Sequence, residues 1–305
     1  MHSQTRRQFV KAAGLGAAAL AGAGRALAAG AKPAPGGGKA SKRWAMRLST
    51  STIQFSRLPI EQACERISKL GFEAIDIWSA HAGCPHLDDV AKRLGPDGLT
   101  ELLAKHKLKL YAFSVYRGGY QRYAELLGKA GGGVAVRGSA GRCKPNELTA
   151  RMKAFIEGLK PLVELAEKHD SYLAIENHGG ALLNSLDSFK AFVEANKSDR
   201  LGLAMAPYHL QRAKASVPEA IRIAGKQLLF FYAWQSARGT GQLPGHGKTD
   251  FTPWLTALAE VKYRWYVNPF MHHEPEPDAM SAALAKARDY LKQCYAKSLA
   301  PKARR

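Results

Sequence analysis

The sequence has few of the residues that would mark a thiol or a nucleotide site. It contains four cysteines, and no two of them form a Cys-x-x-Cys pair, which argues against a cysteine-based zinc site or a redox motif. No Gly-x-Gly-x-x-Gly follows the first predicted strand, as a dinucleotide-binding sheet would require. Gly247-Lys248-Thr249 has the end of a P-loop pattern, but Gln242 stands where its first glycine is needed. We therefore expect no nucleoside triphosphate site.

Acidic residues are also scarce. The chain has 25 Asp and Glu against 45 Lys and Arg, which gives a formal net charge of +20. Such a balance attracts anions. The basic residues are spread along the chain, however, and no aromatic platforms for nucleic acid lie between them. We therefore expect a solvated basic surface and no nucleic-acid partner.

The N-terminal 28 residues have the three parts of an export signal in order. Thr5-Arg6-Arg7-Gln8-Phe9-Val10-Lys11 is a twin-arginine pattern, an Ala/Gly/Leu-rich stretch follows, and Ala26-Leu27-Ala28 is a small-residue cleavage site. The apolar stretch is too short for a membrane span, so no stable membrane anchor is expected. These features predict export by the twin-arginine machinery to the periplasm or the extracellular space. A flexible linker over 29–43 and a folded domain over 44–305 would follow.

From Ala45 onward a short apolar run, a polar loop and an amphipathic helix alternate repeatedly. The predicted strands are rich in aliphatic and aromatic residues, as buried parallel strands are. They are Met46–Ser49, Phe72–Trp78, Leu108–Tyr116, Gly133–Gly138, Ser171–Glu176, Leu201–Met205, Leu228–Trp234 and Arg264–Met271. The clearest helix is predicted over Glu147–Lys168. This alternation predicts a single-domain α/β fold, a (β/α)8 TIM barrel, with a doubly wound sheet as the alternative.

Polar residues follow the predicted strand ends, where TIM barrels carry their active sites. Glu176-Asn177-His178 ends a buried strand, and an unpaired buried carboxylate is costly, so Glu176 needs a partner. Other residues at such ends are Ser114, Tyr116, Arg137, Tyr208, Trp234, Gln235 and Asn268. Seven of the ten histidines lie at or near them: His81, His86, His178, His209, His246, His272 and His273. The pattern predicts a functional site on this face.

Taken together, these motifs resemble the xylose isomerase-like TIM barrels, a superfamily of sugar-phosphate isomerases and epimerases that includes endonuclease IV. The resemblance covers roughly Ala45 to Leu291. It rests on the sequence around four segments: Gly71–Trp78, Leu173–His178, Ala206–His209, and Pro244–Gly247 leading to Asp250-Phe251. It implies a sugar substrate and one divalent cation, held by Glu on strand five, Asp on strand six, His on strand seven and Glu on strand eight.

Only Glu176 matches that ligand set. Ala206 stands at the aspartate position, strand seven has no histidine, and strand eight has no acid. Epimerisation by two carboxylates therefore cannot be transferred to this chain, and two arrangements remain open. In one, Glu176, His209 and His272 hold Zn²⁺, Mn²⁺ or Fe²⁺, with Gln235 or His178 completing the site. In the other there is no metal, Glu176 is the general base, and His209 or His272 is the general acid.

We therefore expect an exported sugar isomerase-, epimerase- or lyase-like enzyme. It would abstract a proton next to a carbonyl of a free sugar, keto-sugar or glycoside, with Glu176, His209 and His272 as catalytic residues. The predicted substrate-binding residues are His81, Arg137, Asn177, His178, Trp234, Gln235 and Lys248. The alternative is a non-catalytic carbohydrate-binding barrel that has lost the family metal site.

Overall fold

The computed structural model describes residues 44–299, so the predicted signal and linker lie outside the described residues. Eight parallel strands close into a barrel in chain order. They are β1 (Arg47–Ser51), β2 (Ala74–Trp78), β3 (Lys109–Ser114), β4 (Gly133–Gly138), β5 (Ser171–Glu176), β6 (Leu201–Met205), β7 (Leu228–Ala233) and β8 (Tyr266–Pro269). The predicted (β/α)8 barrel is confirmed.

Helices pack around the outside of the strands. They are α1 (Ile60–Lys69), α2 (His86–Asp89), α3 (Gly95–Lys105), α4 (Tyr120–Lys129), α5 (Leu148–Gly158), α6 (Lys160–Lys168), α7 (Leu186–Ala195), α8 (Pro207–Arg212), α9 (Val217–Ala224), α10 (Thr252–Glu260) and α11 (Pro277–Ser298). Within residues 44–299, no helix combines the length and the hydropathy that crossing a membrane requires.

Element boundaries differ from the prediction at several strand ends and within one helix, and two of these differences have a clear local reason. The helix predicted over Glu147–Lys168 is divided into α5 and α6, and Pro161 lies in the first turn of α6, where its missing N–H is tolerated. Strand β1 continues to Ser51 because Ser51 pairs with Asp76 of β2. Pairing of this kind depends on the neighbouring strand, so the local hydrophobic periodicity of β1 does not predict it.

Side chains alternate between the two sides of the barrel wall. On β2, Ile75 and Ile77 pack outward in the cluster shared with the helices, whereas Ala74 and Trp78 belong to the cluster inside the barrel. The interior is not purely apolar, because the buried residues Ser51, Asp76, Ser114 and Asn268 meet near the C-terminal ends of their strands. This polar layer lies next to the candidate site.

Candidate functional site

A cavity of about 800 Å³ opens at the C-terminal end of the barrel. Its lining combines one carboxylate, Glu176, with five aromatic and five histidine side chains. These are Trp78, Tyr116, Tyr208, Trp234 and Phe270, together with His81, His178, His209, His272 and His273. The volume is that of a small-molecule site, and the cavity lies on the face where the sequence predicts one.

Glu176 is the last residue of β5 and is buried, with 8% of its surface exposed. Its Oε2 accepts a hydrogen bond of 2.7 Å from the hydroxyl of Tyr116, which in turn shares a 3.1 Å hydrogen bond with the hydroxyl of Tyr232. Burial raises the pKa of Glu176 to about 7; the negative charge of Asp76 adds to this, and the hydrogen bond from Tyr116 opposes it. A carboxyl group with such a pKa is suited to general-base work near neutral pH.

Asp76 is a second carboxylate, fully buried beside the cavity but not part of its lining. It accepts hydrogen bonds from Ser51 Oγ and Trp78 Nε1, each at 2.7 Å, and from Ser114 Oγ at 3.0 Å. Burial raises its pKa to about 7 in spite of these donors. Asp76 is not among the predicted site residues; its signal in the sequence is an acid inside an apolar strand, where it needs dedicated partners.

His209 and His272 face the cavity as neutral imidazoles. Burial, together with the smaller effect of neighbouring histidines, lowers the pKa of His209 to about 3 and that of His272 to about 4. The ring centroids of His209 and His178 are 4.0 Å apart, and Nε2 of His209 is buried without a hydrogen-bond partner among residues 44–299. At neutral pH neither His209 nor His272 carries the extra proton that the predicted general-acid role needs. A neutral imidazole can still donate one N–H to a ligand oxygen.

The metal site predicted from Glu176, His209 and His272 does not form in the structure. In the described part of the chain, no three or more His, Cys, Asp or Glu side chains come together in an arrangement that could hold a metal ion. Oε2 of Glu176 is engaged by Tyr116, and the backbone of Ala206, at the family's aspartate position, is hydrogen-bonded by Asn177. The donor set therefore does not fit a divalent cation, and we do not assign these residues as metal ligands.

Stacked and edge-on rings form the walls of the cavity. Trp234 stacks on Tyr208 with centroids 4.4 Å apart, and Trp78 stacks on Phe270 at 5.4 Å. The edge of Trp234 is fixed because its Nε1 donates a 2.8 Å hydrogen bond to Gln242 Oε1. Gln242 Nε2 donates in turn to the carbonyl of His272 at 2.9 Å. Gln242 is not among the predicted site residues, since its role arises from a loop that folds back over the strand ends.

The predicted substrate-binding residues divide into two groups. His81, His178 and Trp234 line the cavity, whereas Arg137, Asn177, Gln235 and Lys248 are not in its lining. Gln235 is buried, and both ends of its side-chain amide hydrogen-bond the backbone. Its Nε2 donates to Leu243 O at 2.7 Å, and its Oε1 accepts from Thr249 N at 2.9 Å. Asn177 similarly bonds both backbone groups of Ala206. These two amides therefore hold loops in place, and their predicted contact with substrate finds no support.

Two of the histidines near strand ends also serve the backbone. His86 Nε2 is 2.7 Å from the carbonyl oxygen of Leu58, and His246 Nε2 is 3.0 Å from that of Ala283. Neither lines the cavity. Five of the seven histidines that the sequence places on this face thus reach the site.

Comparisons with known proteins agree with the fold. A profile of the xylose isomerase-like TIM barrels matches residues 64–294. No curated protein sequence gives a significant match. The 3-keto-D-glucoside 4-epimerase YcjR from E. coli is 16% identical, with a TM-score of 0.63 over 80% of this chain and 100% of that one. An L-ribulose 3-epimerase is 17% identical, with a TM-score of 0.64 over 86% and 100%.

A third similar structure, the IOLI protein with a binding zinc atom, is 18% identical, with a TM-score of 0.65 over 84% of this chain and 100% of that one. At these identities the structural likeness shows a shared fold. The profile match covers most of the chain, including β2 to β8, and confirms the resemblance seen in the sequence. This chain therefore belongs to the xylose isomerase-like TIM barrel family.

Proposed function

We propose that this protein is a sugar isomerase- or epimerase-like enzyme that removes a proton from a carbon next to a carbonyl. The observation that carries the proposal is Glu176, a buried carboxyl group with a pKa near 7 in the wall of an aromatic cavity. Family membership supports it, as do the similar structures of a 3-keto-D-glucoside 4-epimerase and an L-ribulose 3-epimerase.

In this proposal the residues of the site divide the work of a proton transfer. Glu176 takes the proton from carbon, and the hydroxyl of Tyr116 holds its carboxylate in one orientation. The charge that develops on the carbonyl oxygen needs a neutral donor. His209, a neutral imidazole in the lining of the cavity, supplies an N–H from one of its ring nitrogens. No step is routed through a metal, because the donor set does not fit one.

The proposed substrate is a free sugar, keto-sugar or glycoside. Trp78, Trp234 and Phe270 offer apolar faces and edges for a sugar ring. Of the described residues in the lining, Arg238 is the one Lys or Arg side chain, which favours a substrate without a phosphate group. Export through the twin-arginine pattern at Arg6-Arg7 is part of the proposal and agrees with this choice, since sugar phosphates are largely cytoplasmic.

A non-catalytic carbohydrate-binding barrel is the second candidate. The lining contains a single carboxylate among its described residues, so an epimerase that needs two carboxylates at the substrate is not assembled here. The aromatic walls alone would suffice to bind a sugar. This candidate predicts binding without proton exchange.

Solvent exchange separates the two candidates. The protein is incubated in deuterated water with D-fructose, L-ribulose or a 3-keto-glucoside, and deuterium at the carbon next to the carbonyl is measured by NMR. We expect exchange with the wild type and a loss of about 10²- to 10⁴-fold in Glu176→Gln, the range for a general base. Glu194→Gln, which changes an exposed carboxylate on α7, is the matched control and should exchange normally.

Each assay is run with a chelator and with added Zn²⁺ or Mn²⁺, so that a metal requirement is measured directly. Binding of a sugar without exchange under all these conditions would support the non-catalytic barrel and overturn the enzyme proposal. Exchange that persists in Glu176→Gln would overturn the role of Glu176.

A further inference from the structure

A second cavity lies at the opposite end of the barrel, where the strands begin. Its volume is about 670 Å³, in the range of small-molecule sites. Its lining comes from the beginnings of β5, β6 and β7 and from the loops before β6, β7 and β8. Tyr172 of this cavity and Glu176 of the first are both on β5, about 13 Å apart along the strand. The two cavities are therefore separate.

The lining of this second cavity is strongly basic. It contains one acidic side chain, Asp199, and four cationic ones, which are Arg200, Lys226, Lys262 and Arg264. In the cavity at the other end, by comparison, Arg238 is the one Lys or Arg among the described lining residues. A surplus of positive charge around a concave surface concentrates anions there. The second cavity is thus suited to an anionic ligand.

Three of the four cations have no acidic partner. Arg200 pairs with Asp170 at 2.8 Å, whereas Lys226, Lys262 and Arg264 form no ion pair within residues 44–299. Their positive charge is therefore not neutralised by the described part of the chain, and it remains available to a ligand.

Aromatic rings hold the two arginines in place. The guanidinium groups of Arg200 and Arg264 lie 4.9 Å and 5.4 Å from the ring centroid of the same residue, Tyr172. Arg264 also lies 5.1 Å from the ring centroid of Trp265, which packs edge-on against Tyr172. Stacking of this kind orders the planar guanidinium group and leaves N–H donors for phosphate-type oxygens. It also keeps two like charges close together, and a bound anion would offset their repulsion.

We propose that this second cavity binds a small multivalent oxyanion, a molecule with two or more closely spaced phosphate or sulfate groups. Arg200 and Arg264 donate hydrogen bonds to its oxygens, and Lys226 and Lys262 supply point charges. A single carboxylate would leave most of the surplus charge unpaired, so it should bind weakly. The site is independent of the sugar chemistry proposed for the cavity at the other end.

Calorimetric titration of the full-length protein tests the proposal. The probes are inorganic pyrophosphate for phosphate groups, sucrose octasulfate for sulfate groups, and sodium acetate as the monovalent comparison. We expect at least one of the two multivalent anions to bind at a single site at about 0.15 M salt, with an affinity that falls as salt is added. Acetate should show no comparable binding. The tighter of the two multivalent probes identifies the preferred group.

Two variants change the charge of the lining in opposite directions. Lys226→Gln combined with Lys262→Gln removes two exposed, unpaired cations, so the fold should not be affected. It should weaken binding about tenfold or more, since contacts with charged groups are lost. Asp199→Asn removes the one acid of the lining and should strengthen binding.

Lys153→Gln combined with Lys297→Gln is the matched control. It makes the same change in net charge at exposed lysines of α5 and α11, away from the second cavity. This variant should bind as the wild type does. An equal loss of affinity in the two double variants would show a general attraction to the basic surface and would overturn the site.

The indole N–H signals of tryptophan, observed by ¹H–¹⁵N NMR, locate the bound anion. Trp265 lies against Arg264, whereas Trp78 and Trp234 line the cavity at the other end. We expect the multivalent probe to shift the Trp265 signal, assigned with Trp265→Phe, and to leave the other two in place. Shifts of Trp78 or Trp234 without one of Trp265, or no binding of either multivalent probe, would overturn the proposal. None of these measurements depends on turnover of a sugar.

Discussion

The hydroxyl of Tyr116 donates a 2.7 Å hydrogen bond to Oε2 of Glu176, from the residues that follow β3 to the end of β5. This hydrogen bond stabilises the charged form of the carboxylate. It therefore opposes the effect of burial, and burial raises the pKa of Glu176 to about 7. The bond therefore fixes the orientation of Glu176 and lowers the proton affinity that burial raises, at the residue on which the proposed chemistry depends.

Tyr116→Phe should raise the pKa of Glu176 further, because burial would then act without this donor. We expect activity at neutral pH to fall about tenfold or more and the pH midpoint to move to higher pH. The measurement is a pH profile of kcat/KM. Tyr120→Phe is the control, because the Tyr120 hydroxyl bonds Ser171 Oγ away from the cavity. A wild-type midpoint in Tyr116→Phe would contradict the role of this hydrogen bond.

The pH dependence of the wild type follows from the same carboxyl group. A general base must be ionised, so kcat/KM should rise with pH through about 7 and level off above it. A carboxyl group with an ordinary pKa would instead place this rise near pH 4 to 5, at roughly the usual value for Glu. A profile that is flat across neutral pH would show that Glu176 is not the titrating group.

The fold was predictable because it depends on local patterns. Each short apolar strand, such as Leu201–Met205, is followed by turns and an amphipathic helix, and eight repeats leave few architectures available. The end of β5 was also readable, because an acid closing an apolar strand needs a partner. Its partner proved to be the phenol of Tyr116, contributed from another strand end.

The rest of the site depends on long-range geometry that spacing does not encode. His86 and His209 both follow strands, yet His86 bonds the backbone of Leu58 while His209 faces the cavity. Gln235 and Gln242 are seven residues apart in one segment, and only Gln242 lines the cavity, because the loop turns back over β7. Loop packing decides whether a polar side chain hydrogen-bonds the backbone of a loop or faces the cavity.

Gln235→Leu tests the structural role given to that residue. It removes the buried amide that bonds Leu243 O and Thr249 N, and it leaves both backbone groups without that partner. We expect the free energy of unfolding to fall by about 1–3 kcal/mol, measured by denaturant titration. Sugar affinity per folded molecule should change little, because Gln235 is outside the cavity lining. A large loss of affinity with unchanged stability would return Gln235 to the binding site.

His209 should make the protein sensitive to acid. Burial holds its pKa at about 3, whereas in the unfolded chain a histidine titrates at about 6.5. As the pH falls between these values, the unfolded state takes up a proton that the folded state does not, so the contribution of His209 to stability is lost. The slope is at most about 1.4 kcal/mol per pH unit. Asp76 and Glu176, whose pKa values are raised, act in the opposite direction over part of this range.

Comparison with His209→Asn isolates this one residue, because the carboxylates are common to both proteins. We expect the free energy of unfolding of the wild type, relative to His209→Asn, to decline as the pH is lowered from about 6.5 toward 3, since asparagine binds no proton. Denaturant unfolding at several pH values measures the difference. A difference that stays constant with pH would mean that His209 contributes only packing, and that its imidazole is not held neutral by burial.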